Sequence, residues 1–412
     1  MDVIIGAGIT GLCYAMFSNN PNYIILEKEP EIGGYCRTIK RNGFVWDYSG
    51  HFFHFRDSYI RDLILSGIKD NMLTLDKHTR IKYKDIFVDY PFQKNIHQLS
   101  KAELIDCLYD LFTERNDEYS NFQEMLYSKF GKSIAEKFLI PYNEKLYACN
   151  LNDLDKDAMG RFFPYAEREE IIRNFKVNNN TSYNDKFLYP QNGAMEYVKS
   201  VYNKIDKSRI LLNTQVDHIS ISESKITLST GEEINYDRLI STIPFPELLR
   251  ISNTEYDPSV YTWNKVLVFN LGFDVKGNDT VDHWLYFPEK KYCFYRVGFY
   301  DNILNQGCMS LYVELGFDKN DRINPSEWLG RVISDLRKAE IVRPDQTLVD
   351  YESIIMDPAY VHINSRSIVD VAAKKKELAK YHVYSIGRYG SWCYCSIEDN
   401  IKEAQILAAN IL

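Results

Sequence analysis

Val3-Ile4-Ile5-Gly6-Ala7-Gly8-Ile9-Thr10-Gly11-Leu12 opens the chain with an apolar run, a glycine-rich turn and the start of a helical pattern. The glycines match G-x-G-x-x-G, a weak signal alone that gains meaning from its surroundings. An apolar strand precedes it and a helix over residues 12–17 follows. The turn Asn19-Asn20-Pro21-Asn22 then leads to a second strand, and Glu27 ends that strand 21 positions after Gly6. This is the βαβ start of a dinucleotide-binding domain. Gly6 makes the tight turn, Gly8 admits a pyrophosphate to the backbone amides, and Gly11 permits close helix–strand contact. Glu27 accepts hydrogen bonds from ribose hydroxyls. The helix N-terminus, with its partial positive charge, faces the phosphates. The competing reading is a glycine-rich turn that holds no ligand.

Outward from that motif, the pattern changes twice. Residues from about 100 to 170 carry apolar side chains at three- and four-residue intervals, which predicts mostly helix. Residues 209–243 read as short strands, and residues 262–314 as alternating apolar and aromatic strands. The last thirty residues return to a strand at 382–386, a Gly-Arg turn and a closing helix over about 398–412. The expected fold is α/β. Residues 1–85, 190–250 and 380–412 would form a discontinuous Rossmann-like domain. Residues 90–180 would form a helical insertion and 255–375 an antiparallel β-sheet substrate domain. A chain of 412 residues suits two or three such units.

Composition narrows the function. The net charge of −8 argues against a nucleic-acid surface, so an anionic ligand would need locally placed arginines. Aromatic residues make up 14% of the chain, with 31 tyrosines, a supply suited to flat polar ligands although codon bias could also produce it. Eight cysteines include Cys393 and Cys395 but no C-x-x-C pair, so neither a metal cluster nor a disulfide framework is expected, and a reducing cytoplasm fits. The first residues already read as strand, leaving no room for a signal peptide. No apolar run approaches the ~18 residues that span a bilayer, so no membrane insertion is expected. The oligomeric state is left open.

After Glu27 come Gly33-Gly34 and Arg37-Thr38; Asp237-Arg238-Leu239-Ile240-Ser241-Thr242-Ile243-Pro244 and the strand–Gly387-Arg388–helix ending follow. These resemble flavoproteins of the amine-oxidase and glutathione-reductase type, which points to FAD rather than NAD. Gly6, Gly8, Gly11, Glu27, Gly34, Arg37 and Gly387 would hold it. An amide-bearing helix N-terminus at the Gly-Arg turn would suit the pyrimidine edge of the flavin, where reduction develops negative charge.

Six further blocks keep their order along nearly the whole chain. They are Gly43-Phe44 with Asp47 and Ser49-Gly50-His51-Phe52-Phe53; Tyr90-Pro91-Phe92-Gln93-Lys94-Asn95-Ile96; and Phe138-Leu139-Ile140-Pro141-Tyr142-Asn143-Glu144-Lys145-Leu146-Tyr147. Then come Asn184-Asp185-Lys186-Phe187-Leu188-Tyr189-Pro190; Trp284-Leu285-Tyr286-Phe287-Pro288 with Phe294-Tyr295-Arg296; and Gly387-Arg388-Tyr389-Gly390-Ser391-Trp392-Cys393-Tyr394. In these blocks the chain resembles the UDP-galactopyranose mutase family, its eukaryotic-type branch more than the bacterial one. The resemblance implies an isomerase that converts a nucleotide-sugar pyranose to its furanose through an adduct of the sugar with N5 of reduced FAD. There is no net redox change, and NADPH or NADH would serve only as external reductant. It implies a nucleotide-sugar substrate and, by analogy, a role in cell-surface polysaccharide synthesis.

The same resemblance assigns roles. Arg296 and Arg388 would grip the diphosphate, for which the planar guanidinium fork is suited. Arg161 would act near the sugar on a mobile element, and His51 beside the flavin. Tyr286, Tyr360 and Tyr394 would donate hydroxyls to the diphosphate. Tyr90, Gln93, Phe138, Tyr142 and Tyr147 would form the uridine pocket, with Trp284 and Asn184 framing the sugar. Three positions depart from the family. Glu398 stands where the eukaryotic-type branch has Asn, Tyr147 replaces a tryptophan, and Ser49-Gly50 replaces a glycine pair. These leave the sugar open, so another nucleotide sugar, such as UDP-N-acetylgalactosamine or dTDP-fucose, is the alternative substrate. An oxidase of amines or porphyrinogens is the alternative class.

Overall fold

The computed structural model describes residues 1–68, 71–113, 118–177, 180 and 185–411. Strand β1 (Asp2–Ile5) is buried along its length, helix α1 covers Ile9–Phe17, and strand β2 (Tyr23–Leu26) returns parallel to β1. Gly11 lies where helix meets turn: a Cβ there would sit 2.1 Å from the Gly6 carbonyl oxygen, so no other residue permits this approach. The sheet is completed by chain from elsewhere. Its order is Val383–Ser385, Arg238–Ser241, β1, β2, Ile210–Leu211, with every pairing parallel. Strands buried on both faces read as continuous Val, Ile and Leu, as these do. One face is covered by α1 packed between the helices Ile397–Asn410 and Met195–Tyr202.

The second sheet is mostly antiparallel and carries Thr262–Phe273, Ser310–Asp318, Arg296–Phe299 and Trp284–Tyr286 side by side, with Leu348–Met356 on the outer side of Thr262–Phe273. One of its strands comes from the region expected to belong to the first domain, and another from just beyond residue 85. Thr79–Tyr83 pairs in parallel with Trp284–Tyr286, and Ile86–Asp89 continues the sheet. Hydrophobic pattern identifies a strand but not the sheet it joins, so the boundary expected at residue 85 does not follow the pairing.

The helical part packs against the second sheet: Lys101–Phe112, Phe122–Ile134, a π-helical turn Ala135–Leu139, Ile140–Tyr147 and Arg168–Asn174. Within the region expected to be mostly helix, the run from residue 122 to 147 is interrupted at Gly131, whose φ of 74° is left-handed and whose Cβ would strike the Asp110 backbone at 2.7 Å. The Asp110 carboxylate then accepts the Ser133 amide at 2.7 Å, which satisfies a backbone donor that the break exposes. Among the described residues no helix is long and apolar enough to cross a membrane, all eight cysteines are free thiols, and no cluster could hold a metal ion.

Candidate active site

A cavity of about 1230 Å³ runs from the glycine turn, past His51, to Arg296 of the second sheet and Arg388 of the Gly387–Gly390 turn. Its size exceeds that of an ordinary small-ligand pocket, as a site for two ligands end to end requires.

At the dinucleotide end, Gly8 caps α1 in an extended conformation with no side-chain cap on the helix, and a Cβ at Gly8 would meet nothing within 4 Å. The space above Gly8 belongs to the cavity, so the α1 N-terminus opens onto it. Glu27 lines the same end. Its two oxygens accept the amides of Ala7 at 2.7 Å and Glu29 at 3.0 Å, which orients the carboxylate while leaving lone pairs for a ribose. Gly34 and Arg37 line the wall, with Arg37 held by the Gly34 carbonyl at 2.9 Å and stacked over Tyr48. Residues 214–216 close this end and had no motif to announce them. These features fit FAD.

One expected contact is made differently. The Gly387 amide donates to Glu403 at 2.8 Å and the Arg388 amide to Asn400 at 2.6 Å. The helical turn Gly387–Gly390 is only four residues long, so its amides are held by side chains of the next helix rather than offered to a ligand. Gly387 still lines the cavity.

His51 sits midway. The Ser49 carbonyl accepts from its Nδ1 at 3.1 Å, which leaves Nε2 as the acceptor. Burial, aided by the positive charges of Arg388 and Arg296, lowers its pKa from 6.5 to about 4. The imidazole is therefore neutral in the folded protein at ordinary pH. Because the unfolded chain takes up this proton first, His51 contributes stability fully above pH 6.5 and loses it as the pH falls toward 4. Urea midpoints of the wild type should fall more steeply across that window than those of His51→Gln.

Sheet register builds the far end. Tyr286 pairs directly with Arg296, and Arg296 with Glu314, so three neighbouring strands present one row of polar side chains to the cavity. Glu314, almost fully buried, takes Arg296 in a two-pronged ion pair, Nε at 2.6 Å and Nη2 at 2.7 Å. Sequence reading missed Glu314, since its signal is a cross-strand register that spacing does not encode. Arg388 differs: its Nη1 donates to the Cys395 carbonyl at 3.0 Å, and the guanidinium lies over Tyr394 at 4.7 Å and Tyr360 at 5.4 Å. Among the described residues no carboxylate is paired with it, which leaves a half-buried cation beside aromatic faces at the cavity wall. Arg161 reaches Asp399 at 2.6 Å and Ser396 at 3.3 Å.

The aromatic wall is continuous. Phe138 stacks on Tyr142, Tyr142 meets Tyr286 edge-on at 5.1 Å, and Tyr90 lies 5.0 Å from Tyr286. Burial raises the Tyr90 and Tyr142 phenols well above their usual range, so both remain protonated donors. Tyr360 stacks on Tyr394, while Trp284 donates to the Tyr286 hydroxyl at 2.8 Å and stacks on Phe52. Two expected residues do not reach the cavity. Gln93 is fully buried and donates to the Pro164 carbonyl; Tyr147 lies behind the wall, edge-on to Tyr360 at 5.9 Å. Asn184 falls outside the described residues.

Glu398, the awkward acid, is resolved. Its Oε1 accepts the amides of Arg56 and Asp57, both at 2.8 Å, with the Arg56 Nε 3.5 Å from Oε2. The carboxylate ties the 56–57 turn to the C-terminal helix. Glu398→Ala leaves both amides without this partner and should cost about 2 kcal/mol, read as a lower urea midpoint.

These are the fold and cavity of a flavoenzyme. The family model for flavin containing amine oxidoreductases matches residues 9–351, and the chain belongs to that family. Within it, the structure matches reduced UDP-galactopyranose mutase with a TM-score of 0.93 and 26% identity over 100% of this chain and 95% of that one, which bears out the resemblance read from the motifs. Cyclohexylamine oxidase from Brevibacterium oxydans shares the fold alone, with a TM-score of 0.69 and 13% identity over 99% of this chain and 97% of that one. Curated relatives match in part. Chloroplastic protoporphyrinogen oxidase of Nicotiana tabacum is 36% identical over 76 residues, 18% of this chain and 14% of that protein. The Spinacia oleracea enzyme is 30% identical over 182 residues, 40% of this chain and 32% of that protein.

Proposed function

We propose that this protein interconverts the pyranose and furanose forms of a nucleotide-activated sugar, UDP-galactose first among them. The observation that supports the reading is that Arg388, without a carboxylate partner among the described residues, lines the same cavity as Arg296, and that this cavity continues to the dinucleotide turn. An amine substrate gives a cation without a carboxylate partner nothing to bind; a departing nucleoside diphosphate does.

Bound and reduced, FAD supplies an electron-rich ring nitrogen as nucleophile for the anomeric carbon, with NADPH or NADH needed only to prime it. The chain's own residues do the rest. Arg296 and Arg388 hold the diphosphate for recapture as its bond to the sugar breaks, and hydroxyls from Tyr286, Tyr360 and Tyr394 add uncharged donors. Tyr90, Phe138 and Tyr142 provide flat apolar faces for the uracil. Trp284 closes the sugar end, and neutral His51 offers Nε2 as an acceptor beside the flavin. Gly6, Gly8, Gly34, Glu27 and Arg37 would hold the cofactor, with Gly387 close against Thr10 of α1.

The test is chromatography of UDP-galactose incubated with dithionite-reduced, FAD-loaded protein. A second UDP-sugar should form with reduced protein only, without peroxide. No conversion of any nucleotide sugar in a panel, together with peroxide release from protoporphyrinogen or an amine, would establish the oxidase reading that the partial relatives favour.

A further inference from the structure

We propose that the Ser49 hydroxyl is a positioning group that couples the phosphate end of the cavity to the turn carrying His51. The inference rests on the nucleotide-sugar reading above. Ser49 has a φ of 86°, a backbone conformation that side-chain-bearing residues rarely adopt and that glycine adopts without strain. Its hydroxyl donates to Glu314 Oε1, the oxygen that also accepts Arg296 Nη2 at 2.7 Å, while Glu314 Oε2 accepts Arg296 Nε at 2.6 Å. Its carbonyl meets His51 Nδ1 at 3.1 Å and the Tyr300 hydroxyl at 3.4 Å. One residue thus binds the diphosphate arginine's counter-ion through its side chain and the flavin-side histidine through its backbone. A glycine can make only the second link.

Glu314 is 1% exposed and cannot exchange a lost partner for water. When Arg296 turns toward a diphosphate, the demand of Glu314 on Ser49 rises, and the Ser49–His51 turn responds. Coupling of this kind is reciprocal. If diphosphate occupancy biases the turn beside the flavin, the redox state of the flavin changes diphosphate affinity by the same factor.

UDP is titrated into FAD-loaded protein, oxidised and dithionite-reduced, for the wild type, Ser49→Gly and Ser49→Ala. Glycine suits the backbone and removes only the hydroxyl, so Ser49→Gly keeps the fold and the flavin. The wild type should bind UDP about tenfold differently in the two states, and both variants should narrow the ratio to within about twofold while still binding UDP. The shift of flavin midpoint potential on saturation with UDP should narrow in proportion. A Ser49→Gly variant with the wild-type ratio, or a wild type with equal affinity in both states, overturns the coupling. Failure of the wild type to bind UDP in either state overturns instead the nucleotide-sugar reading beneath it.

Discussion

Arg388→Ala should reduce turnover by roughly 100-fold or more, a loss of about 3 kcal/mol of charge-assisted contact, while leaving the protein at least as stable as the wild type. The two signs come from one fact. Arg388 is half-buried, bonds a backbone carbonyl and has no carboxylate partner among the described residues, so its removal strands no buried counter-ion. Arg296→Ala is the control with a different signature. It strands Glu314, which is buried and otherwise holds both guanidinium nitrogens, and should destabilise by about 3 kcal/mol as well as slow turnover. Thermal melts and steady-state rates on both variants separate the cases. Near-normal turnover of Arg388→Ala would remove the diphosphate assignment.

Gly8→Val should yield folded, colourless protein. The backbone at Gly8 is extended, which any residue adopts, and the open space beside it is cavity, so the added methyl groups would fill the cradle rather than strain the chain. Gly11→Val should fail to fold, because its first carbon already overlaps the Gly6 carbonyl. Flavin absorbance after gel filtration reads the first, and recovery of soluble protein the second. Retained flavin in Gly8→Val would show that the cofactor lies elsewhere.

The β1–α1–β2 unit was legible because its signals are local: strand, glycines, helix and acid within the first 27 residues. Arg296 and Arg388 were legible for another reason, since each sits inside a distinctive aromatic block. What escaped depends on partners far along the chain. Glu314 matters because antiparallel register sets it opposite Arg296. Gln93 and Tyr147 belong to blocks that do form the wall, yet their side chains point into the packing behind it, a choice made by tertiary contacts that no motif records. The strands at Thr79–Tyr83 and Ile86–Asp89 were not singled out in the sequence and join the second sheet, and Gly131 broke a pattern whose periodicity continued straight through it. Glu398 looked like a charge misplaced beside a phosphate until its backbone partners were seen.

The parallel sheet takes its strands from Asp2–Ile5, Arg238–Ser241 and Val383–Ser385. At roughly 5–20 residues per second, the opening turn leaves the ribosome on the order of half a minute before the strand that flanks its sheet. The five-stranded sheet that carries the glycine turn can therefore close only after Val383–Ser385 has emerged.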